Sequence, residues 1–247
     1  MSFSSNLFLR EDGLVATIDY TRRSQNEHDT PLVEDVQAVA PVRYITHETI
    51  SGLRTLHVVT DDGRWFERTG GALKEHKVFN TDGERERITM VVAVVSTSAA
   101  LTESGSVYVS SSIADGGSAV PAQRRPYERM APESFDHDRI VFITNRAGGS
   151  YLAVSDAGRV YMWGPYNLFK FPYSDPDPDF FTVRKVHPAM FDDERVECVA
   201  AYGNESCAVT ESGHCIFWRG EDMGNSWPVY GRESIFWRLG PDDFEGE

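Results

Sequence analysis

Five times along this chain a run of β-forming residues leads into a short polar turn that ends in glycine, and a second β-forming run follows. The copies read LFLREDGLVATI, HVVTDDGRWFER, AALTESGSVYVS, LAVSDAGRVYMW and CAVTESGHCIFW, with turn glycines Gly13, Gly63, Gly105, Gly158 and Gly213. Successive glycines are 50, 42, 53 and 55 residues apart, the period of a repeated supersecondary unit. The pairs Asp12-Gly13, Asp62-Gly63, Ser104-Gly105, Ala157-Gly158 and Ser212-Gly213 supply the positive φ that a tight hairpin needs.

The flanks of each turn say how the hairpin is packed. Five and four positions before the glycine stand Phe8-Leu9, Val58-Val59, Ala100-Leu101, Ala153-Val154 and Ala208-Val209. Two adjacent apolar residues occupy both faces of a strand, the pattern of a strand held between two sheets. Another apolar strand is predicted to begin at Ile88, Ile140 and Val196, 17 or 18 residues before the next turn glycine. The polar, Pro-bearing stretches between repeats are predicted to hold a less regular fourth strand, such as 182–190. Three strands plus one, at a period of roughly 50 residues, describe propeller blades. The predicted fold class is therefore all-β: one β-propeller domain over 1–247, with blade cores near 6–20, 42–70, 86–112, 138–164 and 194–220.

The segment 138–164, DRIVFITNRAGGSYLAVSDAGRVYMWG, resembles the repeat of the regulator of chromosome condensation family. That repeat runs from a Val through a strand ending in Cys-Gly, a His, a Leu-Ala-Leu-Thr strand and a Gly turn to Val-Tyr-Trp-Gly. Segment 194–220 is similar to it, 86–112 less so, and 42–70 least. The family's His is replaced by Ser150 and Glu205, and Trp-Gly is complete only at Trp163-Gly164. The repeats, with no catalytic motif beside them, point to a non-enzymatic propeller scaffold that presents its rim loops to protein partners. The resemblance implies an alternative, guanine-nucleotide exchange on a Ran-like small GTPase, in a chromatin-associated setting.

Seven blades at this period would need about 350 residues, and the chain has 247. Five blades are expected, with the apolar segment 233–239, ESIFWRL, as a candidate closing strand beside the first hairpin. The alternative is an open ring that self-associates, with Trp227, Phe236 and Trp237 in the contact.

A net charge of −14 opposes nucleic-acid or anionic-membrane surfaces, which recruit Lys and Arg. No apolar run reaches the roughly 18 residues of a membrane helix, and the N-terminus lacks a basic, then apolar, leader. The expectation is an intracellular protein, cytoplasmic or nuclear. The three cysteines, Cys198, Cys207 and Cys215, read as small buried hydrophobes. With His214 they also compose a conceivable zinc set, but no Cys-x-x-Cys pair exists. Asp175, Asp177 and Asp179 have the alternation of a calcium loop's first ligands, without its glycine or final Glu.

No catalytic constellation, cofactor motif or metal motif is legible. Asp136-His137-Asp138 sets acids beside an imidazole, just ahead of a strand, and reads as a loop. One positive concentration remains, Arg124, Arg125, Tyr127 and Arg129, in the longest gap between a hairpin and the next strand. Arg and Tyr are favoured contact residues, and loops on rigid scaffolds commonly carry recognition. These four are the candidate partner-binding residues, and a solvated loop without a partner is the alternative.

Overall fold

The computed structural model describes residues 5–9, 15–19, 41–50, 53–69, 72–94, 97–111, 126–146, 150–164, 182–202, 205–219 and 237–244. Their strands form one two-stranded and four four-stranded antiparallel sheets. The first is β1 (Ser5–Leu9) with β2 (Val15–Asp19). The second is β3 (Val42–Ile50), β4 (Leu53–Thr60), β5 (Trp65–Thr69) and β6 (Ala72–His76). The third is β7 (Ile88–Val94), β8 (Thr97–Thr102), β9 (Val107–Ser111) and β10 (Glu128–Arg129). The fourth is β11 (Ile140–Asn145), β12 (Tyr151–Ser155), β13 (Val160–Trp163) and β14 (Arg184–Lys185). The fifth is β15 (Val196–Tyr202), β16 (Glu205–Thr210), β17 (Cys215–Arg219) and β18 (Trp237–Leu239). Every four-stranded sheet keeps its strands in chain order. The strands expected at Ile88, Ile140 and Val196 begin at those residues.

The turn glycines act as anticipated, with a refinement. Gly63, Gly105, Gly158 and Gly213 have φ of 78°, 88°, 73° and 83°, and Gly13 lies outside the described residues. Gly63 N–H donates to Thr60 O, and Thr60 N–H to Arg64 O. The glycine is thus the left-handed residue that follows a type I turn, the bulge position of a three-residue loop. Gly158 and Gly213 repeat the pattern on Ser155 and Thr210.

One sequence expectation is corrected and another is narrowed. Segment 233–239 was expected to close beside the first hairpin, yet Trp237–Leu239 pairs with β17, opposite Cys215, Ile216 and Phe217. The free edge of its own hairpin is the local partner, and a short connection costs less chain entropy than a distant one. Segment 182–190 contributes a strand of only two residues, because Pro188 opens a 3-10 helix, Pro188–Phe191. Proline has no N–H for a ladder and its φ is fixed.

The chain divides into two compact units. One comprises Met1–Val91 with Thr102–Ser104, and the other Val92–Leu101 with Gly105–Glu247. Within the second, β12 and β13 are buried on both faces. Leu152, Val154, Val160, Met162 and Val186 pack with Val199, Ala208, Ile216 and Trp218 of the fifth sheet, with Phe191 in the same cluster. On the other face Tyr151 stacks on Trp163 at 5.2 Å, and Phe135 meets Tyr161 and Trp163 edge-on. Aromatic pairs in these geometries add about 0.5–1.5 kcal/mol each beyond area burial.

Candidate partner-binding surface

The junction between successive sheets gives a structural role to a recurring set of charged residues. A Cβ placed on Gly63 would lie 2.7 Å from Arg87 Cβ, one on Gly105 2.4 Å from Arg139 Cγ, and one on Gly158 2.1 Å from Arg195 Cγ. Each arginine directly precedes the first strand of the next sheet. The residue after it donates its N–H back to the glycine carbonyl: Ile88 to Gly63 at 2.9 Å, Ile140 to Gly105 at 3.4 Å, Val196 to Gly158 at 3.1 Å. The arginine's own carbonyl accepts from the turn of its own sheet, from Glu103, Asp156 and Glu211. Arg87 reaches the carbonyls of Asp61 and Asp62, and Arg195 that of Asp156. The glycine is therefore needed twice, for its φ and for the close approach of the next sheet.

The acid before each arginine ties the first strand to its own hairpin. Glu86 accepts from Ser104 Oγ at 3.1 Å. Glu194 accepts from Ser212 Oγ, which also meets His214 Nδ1 at 2.6 Å. Asp138 pairs with Arg159 and accepts from Tyr161 Oη at 2.8 Å. Burial alone would raise the Asp138 carboxyl, but hydrogen bonds from Tyr161, Ser155 and Arg159 outweigh it and hold the pKa below the ordinary value. Burial and the neighbouring Asp138 push the Tyr161 hydroxyl up. In the Asp136-His137-Asp138 trio, then, Asp138 is committed to Arg159 and Tyr161, and Asp136 to Lys185 at 2.8 Å. These acids anchor the fold instead of serving His137.

An eleven-residue repeat that the sequence reading missed builds the Gly105 and Gly158 junctions. It runs Met130-Ala131-Pro132 to Phe135-Asp136-His137-Asp138-Arg139-Ile140, and again Val186-His187-Pro188 to Phe191-Asp192-Asp193-Glu194-Arg195-Val196. Leu239-Gly240-Pro241 to Phe244 begins a third copy, and Pro241–Phe244 is again a 3-10 helix. In both full copies the helix ends on consecutive left-handed residues, Asp136 with His137 and Asp192 with Asp193. The signal was a Pro-x-x-Phe-Asp string recurring at a fixed distance ahead of Arg-Ile or Arg-Val.

The sequence-predicted binding residues fall against this frame. Arg124 and Arg125 lie outside the described residues. Tyr127 is half-buried with its hydroxyl on Ser98 Oγ at 2.5 Å. Arg129 stands on β10 opposite Tyr108 and donates to Ser106 Oγ at 2.9 Å. It occupies the repeat position of Lys185 and Arg238, each one residue before the apolar residue that opens the eleven-residue string. Lys185 and Arg238 pair with Asp136 and Asp192. The third sheet is preceded by an Asn80–Gly83 turn in place of a helix ending in Asp, so Arg129 binds a hydroxyl instead. Both described members of the predicted set are thus held by their own sheet.

Of the metal candidates, Asp175, Asp177 and Asp179 lie outside the described residues. No group of three or more His, Cys, Asp or Glu among the described residues is placed to hold a metal ion, and no described helix is long and apolar enough to cross a membrane.

Repeated four-stranded antiparallel sheets, stitched at a glycine turn, define the class: an all-β protein of propeller repeats. Its fold is the RCC1-like propeller fold. It is similar to human WBSCR16, with 13% identity and a TM-score of 0.60 over 87% of this chain and 59% of that one. It is similar also to Prp20p of Saccharomyces cerevisiae, with 14% identity and a TM-score of 0.56 over 81% of this chain and 52% of that one. In the crystal structure of Kap60 bound to yeast RCC1 (Prp20), the match is 15% identical with a TM-score of 0.57, over 87% of this chain and 54% of that one. This chain therefore spans just over half the length of these structures. No protein-family model and no curated protein sequence matches it.

Proposed function

We propose that this chain is a non-enzymatic, intracellular propeller scaffold that binds protein partners, with the connection that carries Arg124, Arg125, Tyr127 and Arg129 as its contact segment. The observation that supports this reading is the anchorage of that connection where it re-enters the third sheet. Tyr127 is tied to Ser98 and Arg129 to Ser106, and Arg124 and Arg125 stand immediately before them in sequence. Loops held on rigid scaffolds commonly carry recognition. The test is affinity capture from cell extract with wild type and an Arg124→Glu/Arg125→Glu variant. Partner recovery falls at least tenfold in the variant if the reading holds, and unchanged recovery removes the segment from consideration.

A second reading is guanine-nucleotide exchange on a Ran-like small GTPase, favoured by one finding. The similar Prp20p structure is described with that protein's binding properties to Gsp1p and histones. Purified chain that accelerates loss of labelled GDP from a Ran-type GTPase would replace the scaffold reading with this one. An unchanged rate would dismiss it.

A further inference from the structure

The turn at Gly63 has a twin in the same compact unit. Thr60-Asp61-Asp62-Gly63-Arg64 and Asn80-Thr81-Asp82-Gly83-Glu84 each place their glycine at a φ of 78°. Thr60 N–H donates to Arg64 O and Gly63 N–H to Thr60 O, both at 2.9 Å. In the twin, Asn80 N–H donates to Glu84 O at 2.9 Å and Gly83 N–H to Asn80 O at 3.1 Å. The first side chain accepts from the fifth N–H in both, Thr60 Oγ1 from Arg64 at 3.2 Å and Asn80 Oδ1 from Glu84 at 2.8 Å. One hydrogen-bonded frame therefore holds two Asp-Gly pairs, and their surroundings differ. Gly63 is buried beside Arg87, and its carbonyl accepts from Ile88 N–H at 2.9 Å. The Asp62 carboxylate accepts from Thr60 Oγ1, and the Asp62 carbonyl from Arg87 Nε at 3.3 Å. Asp82 and Gly83 are exposed, and a Cβ on Gly83 would meet nothing within 4 Å. Among the described residues the Asp82 carboxylate accepts no hydrogen bond to match the one from Thr60.

We propose that Asp82-Gly83 is a covalent modification site, where the aspartate isomerises to a β-linked isoaspartate that an S-adenosylmethionine-dependent carboxyl methyltransferase takes as substrate. The Gly83 nitrogen attacks Asp82 Cγ and a C–N bond forms. The nitrogen's proton and the carboxyl OH leave as water, closing a five-membered succinimide. Water then adds at the former Asp82 main-chain carbonyl and breaks its bond to the Gly83 nitrogen. The chain now runs through the side chain, and the released α-carboxylate is the group to be esterified. The methyl passes from the sulfonium to a carboxylate oxygen and leaves S-adenosylhomocysteine. Attack requires the peptide group to turn about the Asp82 Cα–C bond, a local opening, and glycine leaves the approach unobstructed. At Asp82 the opening releases Gly83 N–H from Asn80. At Asp62 the same motion must also release Ile88 from the Gly63 carbonyl and Thr60 from the carboxylate, against the packed Arg87. Those extra bonds make isomerisation at Asp62 about tenfold or more slower than at Asp82. The base of the exposed turn is fastened separately, by Glu86 N–H to Val78 O at 3.0 Å and the bridge between Phe79 and Arg85, so the change is confined to the turn.

The two pairs fall in separate tryptic peptides, 55–64 and 78–85, so each is read independently. Full-length chain would be aged at neutral pH, folded and in urea. Isoaspartate in each peptide would be measured by chromatographic separation and by methyl transfer from labelled S-adenosylmethionine with an isoaspartyl methyltransferase. From folded chain, 78–85 is expected to carry at least about tenfold more isoaspartate than 55–64. From chain aged in urea the two reach similar levels, because the sequence at both is Asp-Gly and the shielding is gone. Gly83→Ala lowers the yield in 78–85 severalfold and leaves 55–64 unchanged, with circular dichroism showing that the variant is folded. Three results would overturn the proposal. One is a folded chain whose 78–85 peptide stays α-linked, which would mean that the turn protects Asp82. Another is a folded chain in which 55–64 isomerises as fast as 78–85. The third is a preference for 78–85 that persists in urea, which would assign it to sequence and not to structure.

Discussion

Gly63 and Gly83 share a φ of 78° and lie in the same compact unit, yet their surroundings differ completely. A Cβ on Gly83 meets nothing within 4 Å, whereas a Cβ on Gly63 would lie 2.7 Å from Arg87 Cβ and 3.1 Å from Arg87 Cα. Alanine at Gly83 therefore costs only the left-handed backbone, about 1–2 kcal/mol, offset by about 0.4–1 kcal/mol from a less free unfolded chain. The net loss is about 1 kcal/mol. Alanine at Gly63 incurs the same terms and must also move the Arg87 backbone by about 1 Å to reach ordinary carbon contact. That motion pulls on Ile88 N–H to Gly63 O at 2.9 Å and Glu103 N–H to Arg87 O at 2.8 Å, and on the arginine's bonds to Asp61 and Asp62. Two or three hydrogen bonds at about 1 kcal/mol each put Gly63→Ala about 2–3 kcal/mol below Gly83→Ala.

Urea unfolding followed by tryptophan fluorescence reads this difference, since Trp65 is buried two residues from Gly63. Thermal unfolding should show Gly63→Ala melting roughly 4–12 °C below Gly83→Ala, at about 2–4 °C per kcal/mol for a chain of this size. Equal stability within about 0.5 kcal/mol, the usual scatter of surface substitutions, would refute the claim that the glycine seats the next sheet. The residue would then be explained by its turn alone.

Two further substitutions probe the same junctions. Asp138→Asn should cost about 1–3 kcal/mol at neutral pH, because Tyr161 and Arg159 lose their charged acceptor. The Asp138 side chain is only 6% exposed and its folded pKa lies below 3.8. Its contribution is therefore complete above that value and fades as pH falls through the folded pKa. The gap between wild type and variant should shrink in acid titrations below about pH 4, and a gap that widens there would contradict the assignment. Tyr151→Phe removes the buried bond from its hydroxyl to Thr97 Oγ1 at 2.7 Å and should cost about 1 kcal/mol by urea unfolding. No loss would mean that the hydroxyl contributes nothing net.

The hairpins and first strands were legible because each carries a signal of its own: paired apolar residues, a turn glycine, and β-formers after it. The outer strands were legible at most as segments, not in their bounds: Glu128–Arg129 and Arg184–Lys185 are exposed and two residues long, too short for any alternation to show. The 3-10 helices escaped for a related reason: a single turn has no periodicity, and only comparison of 132–140 with 188–196 exposes it. ESIFWRL was legible as a strand but not as the partner of β17, since an apolar run names no edge. Tyr127 and Arg129 were picked for their chemistry. Nothing local to them shows that Ser98 and Ser106, some 29 and 23 residues earlier, receive their polar groups.

The junctions bear on where binding variants should be sought. The first strands of the third, fourth and fifth sheets are each fastened by an acid that grips its own hairpin, followed by an arginine that fills the glycine of the previous one. The acid's partners differ: Ser104 for Glu86, Arg159 with Tyr161 for Asp138, Ser212 for Glu194. Two different donor sets at one repeat position, a serine for Glu86 and Glu194 and an Arg–Tyr pair for Asp138, indicate that the requirement is the tie itself, not a shared chemical activity. Glu86, Arg87, Asp138, Arg139, Glu194 and Arg195 are accordingly stability residues, although they are charged and several are exposed. A partner-binding defect caused by changing them would pass through loss of the sheet junction and would lower the unfolding midpoint in parallel. A defect from Arg124→Glu/Arg125→Glu with the midpoint unchanged would isolate recognition from folding.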